Sequence, residues 1–179
     1  MSKIILVTGG QRSGKSRYAE QLALSLAANP VYMATAHVWD EEFAHRVKLH
    51  QQRRGPQWTV IEEEMHLSRH DMTGRVVLID CVTLWLTNYI CHPDFASQGE
   101  GGVPDTGRIL EAAKKEFDDF TSASDATYIF VTNEIGMGGV SENALQRCFA
   151  DLQGWMNQYI AERADSVTLM VSGIPVRIV

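Results

Sequence analysis

The run Gly9-Gly10-Gln11-Arg12-Ser13-Gly14-Lys15-Ser16 follows directly on the apolar segment Lys3-Ile4-Ile5-Leu6-Val7-Thr8 and constrains the fold more than any other stretch. A short apolar run ends in a glycine-rich turn, and the turn opens into a helical pattern. Gly-x4-Gly-Lys-Ser between a strand and a helix has a physical purpose. The glycines let backbone N–H groups crowd around phosphate oxygens, and the helix N-terminus adds partial positive charge. Lys15 can reach the β- and γ-phosphates of a nucleoside triphosphate, and the Ser16 hydroxyl is placed to ligate Mg²⁺. The stretch implies a triphosphate-binding α/β protein.

The rest of the chain alternates between the two periodicities such a fold needs. Arg17 to Ala27 is helical, with Tyr18, Leu22 and Leu26 on one stripe, and Asn29-Pro30 stops it. Val31 to Thr35 reads as a buried strand, which closes a βαβ unit. Asp40 to Arg54 turns helical again, Gly55-Pro56 ends it, and Trp58 to Glu62 is another strand. Val76-Val77-Leu78-Ile79-Asp80 is continuously apolar up to its carboxylate, the pattern of a strand covered on both faces. Val82 to Ile90 reads as a helix, and Cys91 to Thr106 as a loop rich in Gly, Pro and small polar residues. A helix over Gly107 to Phe120, a strand over Thr127 to Thr132 and a turn at Gly136 to Gly139 follow. Ser141 and Asn143 open a long helix reaching about Arg163. Strands at Val167 to Val171 and Val176 to Val179 complete the chain. The expectation is one domain over 1–179, a mostly parallel doubly wound sheet with helices on both faces.

Composition narrows the function classes. With 179 residues and 45% apolar content the chain can bury one substantial core. A formal net charge of −6 argues against general nucleic-acid binding. Three dispersed cysteines without a CxxC suggest a reducing compartment and no structural zinc. No apolar run approaches the ~20 residues of a membrane helix. No signal peptide is recognisable, and the expectation is a cytoplasmic protein without membrane insertion. The four tryptophans read as packing residues, although Trp39 and Trp58 flank the 40–54 helix and could cover a site.

Ligands in such sheets bind beyond the carboxyl ends of the strands. That rule selects Gly9 to Ser16, Thr35-Ala36-His37, Glu62, Asp80, Asn133-Glu134 and Ser172. Asp80 is the expected second magnesium-side group beside Ser16, a reading that the phosphate loop favours over that of a helix N-cap. On the 40–54 helix, Arg46, His50 and Arg54 fall at i, i+4 and i+8 with Arg53 alongside, so they share a face. Guanidinium groups attract phosphate and disfavour imidazole protonation, which suits a histidine nucleophile toward phosphorus. Spacing alone favours a solvated basic face carrying an idle histidine. The remaining histidines, His37, His45, His66, His70 and His92, lie in no metal-binding motif, although His66 and His70 stand at i, i+4; all five read as surface residues.

The chain resembles the bifunctional adenosylcobinamide kinase and adenosylcobinamide-phosphate guanylyltransferase family of cobalamin biosynthesis. The resemblance rests on Leu6 to Ser16, Tyr32-Met33-Ala34-Thr35-Ala36, Asp40-Glu41-Glu42, and Arg46, His50, Arg54, Trp58 and Glu62. It continues through Leu78 to Asn88, Val131-Thr132-Asn133-Glu134-Ile135-Gly136-Met137-Gly138 and Val171-Ser172-Gly173-Ile174-Pro175. It implies a RecA-like P-loop fold and a homotrimer. It also implies phosphorylation of the aminopropanol hydroxyl of adenosylcobinamide by ATP or GTP. GMP then passes from GTP through a guanylylated histidine to adenosylcobinamide phosphate. His50 matches that histidine, with Lys15 the second catalytic residue. Nucleotide contacts carry over to Gly9 through Ser16, Ala34, Thr35, Ala36, Gln51, Gln52, Arg53, Arg54, Glu62 and Leu84, with Mg²⁺ on Ser16 and Asp80. The family pattern is broken where Gly55 displaces a proline to Pro56 and where Ser141 replaces a frequent proline.

Two other readings share the phosphate loop. A plain P-loop small-molecule kinase would use His50 only to bind phosphate. A RecA-like nucleic-acid-binding ATPase would need a basic or aromatic-rich surface, which the net charge opposes.

Overall fold

The computed structural model describes residues 2–37, 55–95 and 104–179. Its elements run β1 (Lys3–Gly9), α1 (Lys15–Leu26), β2 (Val31–Ala34), β3 (Thr59–Glu62), β4 (Val76–Asp80), α2 (Val82–Cys91), α3 (Thr106–Ala123), β5 (Thr127–Val131), α4 (Ala144–Ala161), β6 (Ser166–Val171) and β7 (Ile174–Arg177). Short 3₁₀ turns lie at Leu67–Arg69 and Gly136–Gly138. The strands form one sheet in the order β3-β2-β4-β5-β1-β6-β7. All neighbours are parallel except β6 and β7, which are antiparallel.

The continuous apolar strands follow from cover on both faces. Ile4, Leu6, Met33, Val77, Ile79, Tyr128 and Phe130 face a core closed by Trp85 and Leu86 of α2, Ile109 and Phe117 of α3, and Leu152 and Met156 of α4. The intervening Ile5, Val7, Tyr32, Leu78, Ile129 and Val131 face the opposite core, with Ala19 and Ala23 of α1 and Trp58. Two fully buried alanines bring the α1 backbone close to the sheet, which holds the loop before it against the strand ends.

Element boundaries depart from the pattern reading where caps and turns decide them. α1 begins at Lys15, because Gly14 at φ 95 is its N-cap. α4 begins after Asn143, whose side chain accepts from the Gln146 amide. β7 starts at Ile174, directly after the Ser172-Gly173 turn, so the last strand sits two residues earlier than expected. The 3₁₀ turn at Leu67–Arg69 carried no periodic signal. Trp58 and Trp85 are buried, whereas Trp155 is 44% exposed and is not the core residue its type suggested. The expected 40–54 helix, with Trp39 and His45, and residues 96–103 of the expected 91–106 loop lie outside the described residues. Among the described residues, no helix is long and apolar enough to cross a membrane.

Candidate functional site

The register places the chemistry-bearing strand ends in one row. Asp80 is level with Val131, which is level with Val7, and on the other side with Ala34, which is level with Glu62. The chain beyond each of these residues rises over the same edge of the sheet. β5 separates the loop-bearing strand β1 from β4, so the phosphate loop and Asp80 come from non-adjacent strands.

The loop is a close-packed object. A Cβ on Gly9 (φ 149) would lie 2.6 Å from the Met170 carbonyl oxygen and 2.9 Å from Ser13 Oγ. A Cβ on Gly14 (φ 95) would meet Gly173 Cα at 3.3 Å. The Ser172-Gly173 turn therefore backs the loop, and the Gly173 amide donates to Ser13 O at 2.9 Å. Lys15 is buried and donates from Nζ to Gly10 O at 2.7 Å, which ties the ends of the loop together. Burial pulls the Lys15 ammonium below its ordinary pKa, against the opposing influence of Cys81 and Asp80. Ser13 Oγ is buried without a hydrogen-bond partner among the described residues, a hydroxyl suited to an incoming oxyanion. Gln11 and Arg12 are exposed on the loop, Arg12 in the left-handed region at φ 58.

Ser16 and Asp80 are brought together. Ser16 Oγ donates to Asp80 Oδ1 at 3.4 Å, and the Tyr32 hydroxyl donates to Asp80 Oδ2 at 2.7 Å. Tyr32 is itself held edge-on by Trp58, with centroids 5.9 Å apart, so Trp58 packs beneath the site. The Asp80–Cys81 peptide is cis. Burial raises the pKa of the Cys81 thiol to about 12, which keeps it protonated beside Asp80. A hydroxyl and a carboxylate at this separation are hard oxygen donors that fit a magnesium ion retaining several waters. Tyr32 is the outer partner such a site needs.

Of the other expected contacts, Ala34 ends β2 level with Asp80, and Thr35 and Ala36 follow it. Thr35 is buried, and its Oγ1 donates to Cys81 O at 2.8 Å. Asn88 of α2 fixes the same segment by donating to Thr35 O and Glu64 O at 2.7 and 2.8 Å. Leu84 packs with Ala34 against the α1-side core. Glu62 is not brought to the phosphate loop. β3 lies four strand positions from β1, about 19 Å at the usual spacing. His50, Arg46, Gln51, Gln52, Arg53 and Arg54 lie outside the described residues.

Sequence reasoning had no means of seeing Tyr32 on Asp80, Thr8 on Glu134 or Gly173 behind Gly14. The strand-end rule did select Asn133-Glu134 and Ser172. Asn133 donates through its amide nitrogens to Thr83 Oγ1, and Thr8 Oγ1 donates to Glu134 Oε1 at 2.5 Å.

The family model for cobinamide kinase / cobinamide phosphate guanyltransferase matches residues 5–178. The bifunctional adenosylcobalamin biosynthesis protein CobU of Escherichia coli K12 is 38% identical, over 98% of this chain and 99% of that one. CobU of Salmonella typhimurium is 39% identical, over 98% and 99%. CobP of Pseudomonas aeruginosa is 36% identical, over 95% and 94%. Among solved structures, the assembled ATPase EscN of the enteropathogenic E. coli type III secretion system superposes with a TM-score of 0.52 at 12% identity, covering 95% of this chain and 43% of that one. An ATPase from the type III secretion system of pathogenic bacteria gives 0.50 at 11% identity, covering 93% and 50%. These structural likenesses concern the P-loop fold alone.

Proposed function

The chain belongs to the cobinamide kinase / cobinamide phosphate guanyltransferase family, and on that premise we propose the sequence of its two reactions and the residues that carry them. In the first, the acceptor is adenosylcobinamide and the donor ATP or GTP. The amides of Gly9 to Ser16 and the Lys15 ammonium hold the β- and γ-phosphates while the acceptor hydroxyl attacks the γ-phosphorus. Ser16 and Asp80, which meet at 3.4 Å, would hold Mg²⁺, with the Tyr32 hydroxyl fixing the second Asp80 oxygen. The ion, when bound, neutralises charge on the phosphate oxygens.

In the second reaction, a nitrogen of neutral His50 attacks the α-phosphorus of GTP and pyrophosphate leaves. Arg53 and Arg54 offset the charge that develops. The phosphate of the acceptor then displaces His50 and forms adenosylcobinamide-GDP. One difficult displacement becomes two easier ones. The nucleotide contacts Ala34 to Ala36, Gln51 to Arg54, Glu62 and Leu84 serve this step. The separation of the Gly9 to Ser16 loop after β1 from Glu62 on β3 favours two neighbouring subsites on one sheet edge, phosphoryl chemistry over the loop and guanylyl chemistry toward β2 and β3. The working form is a cytoplasmic homotrimer.

The observation that carries the reading is a family match over 5–178 in a chain whose Ser16 and Asp80 meet at the loop. Incubation with adenosylcobinamide and GTP, followed by mass detection, tests it. The expected products are adenosylcobinamide phosphate, then adenosylcobinamide-GDP with pyrophosphate. A chain that makes only the phosphate is a plain kinase, and one that makes neither refutes the reading.

A further inference from the structure

We infer that Glu134 accepts the proton of the acceptor hydroxyl in the phosphoryl-transfer step; the inference rests on the kinase reading above. β5 lies between β1 and β4, and Val131 is level with both Val7 and Asp80. The three residues beyond Val131 therefore rise beside the phosphate loop, and the Glu134 amide donates to Gly9 O at 3.2 Å. Thr8 Oγ1 and Asn157 Nδ2 both donate to the same carboxylate oxygen, Oε1, at 2.5 and 3.3 Å. Oε2 accepts nothing among the described residues, and the side chain is only partly buried. Behind it the Asn157 amide also binds Asn133 O and Thr132 Oγ1, at 3.0 and 2.6 Å. One oxygen is anchored and the other is presented.

No Lys or Arg pairs with Glu134 among the described residues. An unneutralised carboxylate beside a loop built for anions opposes nucleotide binding, a cost that proton acceptance accounts for. The other carboxylates of this edge are committed: Asp80 to Tyr32 and Ser16, Glu64 to His37, Glu63 to the Met65 and His66 amides. Glu62 stands on the far strand. Ile135, the next residue, lines a cleft of about 780 Å³ with Thr87, Ile90, Val140 and Leu145, a volume that would admit part of a bulky acceptor one residue along the chain from Glu134.

In the step, the hydroxyl oxygen bonds to the γ-phosphorus and the bond from that phosphorus to the β,γ-bridging oxygen breaks. The nucleoside diphosphate leaves with the bond electrons. The hydroxyl proton passes to Glu134 and from there to solvent. Guanylyl transfer to a preformed phosphate monoester has no hydroxyl proton to remove, so the two activities of one chain separate this role from a structural one.

Glu134→Gln is assayed for phosphorylation of adenosylcobinamide and, separately, for guanylyl transfer from GTP to supplied adenosylcobinamide phosphate. Phosphorylation kcat is expected to fall at least ~100-fold, with nucleotide KM no higher than the parent's and guanylyl transfer held within about threefold. Glu134→Asp, which keeps the carboxylate but retracts it, is expected to recover part of the phosphorylation rate, and it carries the same comparison if the glutamine variant does not fold. Phosphorylation within threefold of the parent, or equal losses in both reactions, overturns the inference and leaves Glu134 a tie between β5 and β1. A parent chain that transfers guanylyl but no phosphoryl groups removes the kinase reading and this role together.

Discussion

Replacing Gly9 by alanine tests the loop as a packed object. The added Cβ would stand 2.6 Å from the Met170 carbonyl oxygen and 2.9 Å from Ser13 Oγ, on a residue with φ 149. The carbonyl belongs to β6, held in the parallel ladder with β1, and cannot swing aside without breaking sheet hydrogen bonds. Overpacking costs about 1–3 kcal/mol and the backbone conformation a similar amount, so a loss of about 3 kcal/mol is expected. With a urea slope of about 2 kcal/mol/M, the midpoint falls by about 1.5 M. Gly10 is the internal control, since its Cβ would meet nothing within 4 Å and its φ is not in the left-handed region. Gly10→Ala should stay within about 1 kcal/mol of the parent. Urea unfolding followed by tryptophan fluorescence reads both, the buried Trp85 being the reporter. Gly9→Ala within about 0.5 kcal/mol of the parent, or Gly10→Ala matching its loss, would refute the reasoning.

Removing the Tyr32 hydroxyl in Tyr32→Phe leaves Asp80 Oδ2 without the 2.7 Å donor; magnesium dependence of triphosphate binding should weaken about 10–100-fold, and an unchanged magnesium titration contradicts the outer-partner role. Asp80→Asn and Ser16→Ala should each depress phosphorylation of adenosylcobinamide at least about 100-fold while leaving the urea midpoint near that of the parent, since neither side chain supports the core; equal activity would remove the ion from this position. Glu63 gives a pH signature. Its burial raises the pKa, but the His66 and Met65 amides and His70 outweigh it, so the folded value lies below 4.5. Its stabilisation is then fully present above that pH and is lost as the pH falls below 4.5 through the folded value. Glu63→Gln should cost about 1 kcal/mol at neutral pH and flatten the acid limb of stability; identical acid limbs in parent and variant would contradict the assignment.

The local half of the site was legible in the chain. Gly9 to Ser16 between a continuous apolar run and a helix announced the loop, and the carboxylate ending Val76 to Asp80 announced its companion. The strand-end rule reached as far as Glu134 and Ser172. What pairs with what was not legible, because it depends on strand order. Glu134 meets Thr8 across 126 positions because β5 inserts between β4 and β1. Gly173 backs Gly14 because β6 flanks β1 on its other side. The Ile4 amide donates to Asp165 Oδ2, 161 positions away, for the same reason. Trp155 shows the limit of residue type, since a large apolar ring on α4 falls on the solvent side of the stripe carrying Leu152 and Met156. His50 is a case of its own. Its helical spacing with Arg46 and Arg54 is compatible with chemistry or with a solvated face, and the family resemblance is what selects it.

A covalent intermediate on His50 separates the proposed enzyme from a plain kinase. The protein is incubated with GTP labelled at the α-phosphate and Mg²⁺, denatured, and freed of bound nucleotide. Label is expected to be retained on the chain, labile to acid as a phosphoramidate is, released as adenosylcobinamide-GDP when adenosylcobinamide phosphate is added before denaturation, and absent from His50→Ala. Parent protein that carries no label, or a His50→Ala variant labelled as fully as the parent, contradicts that intermediate.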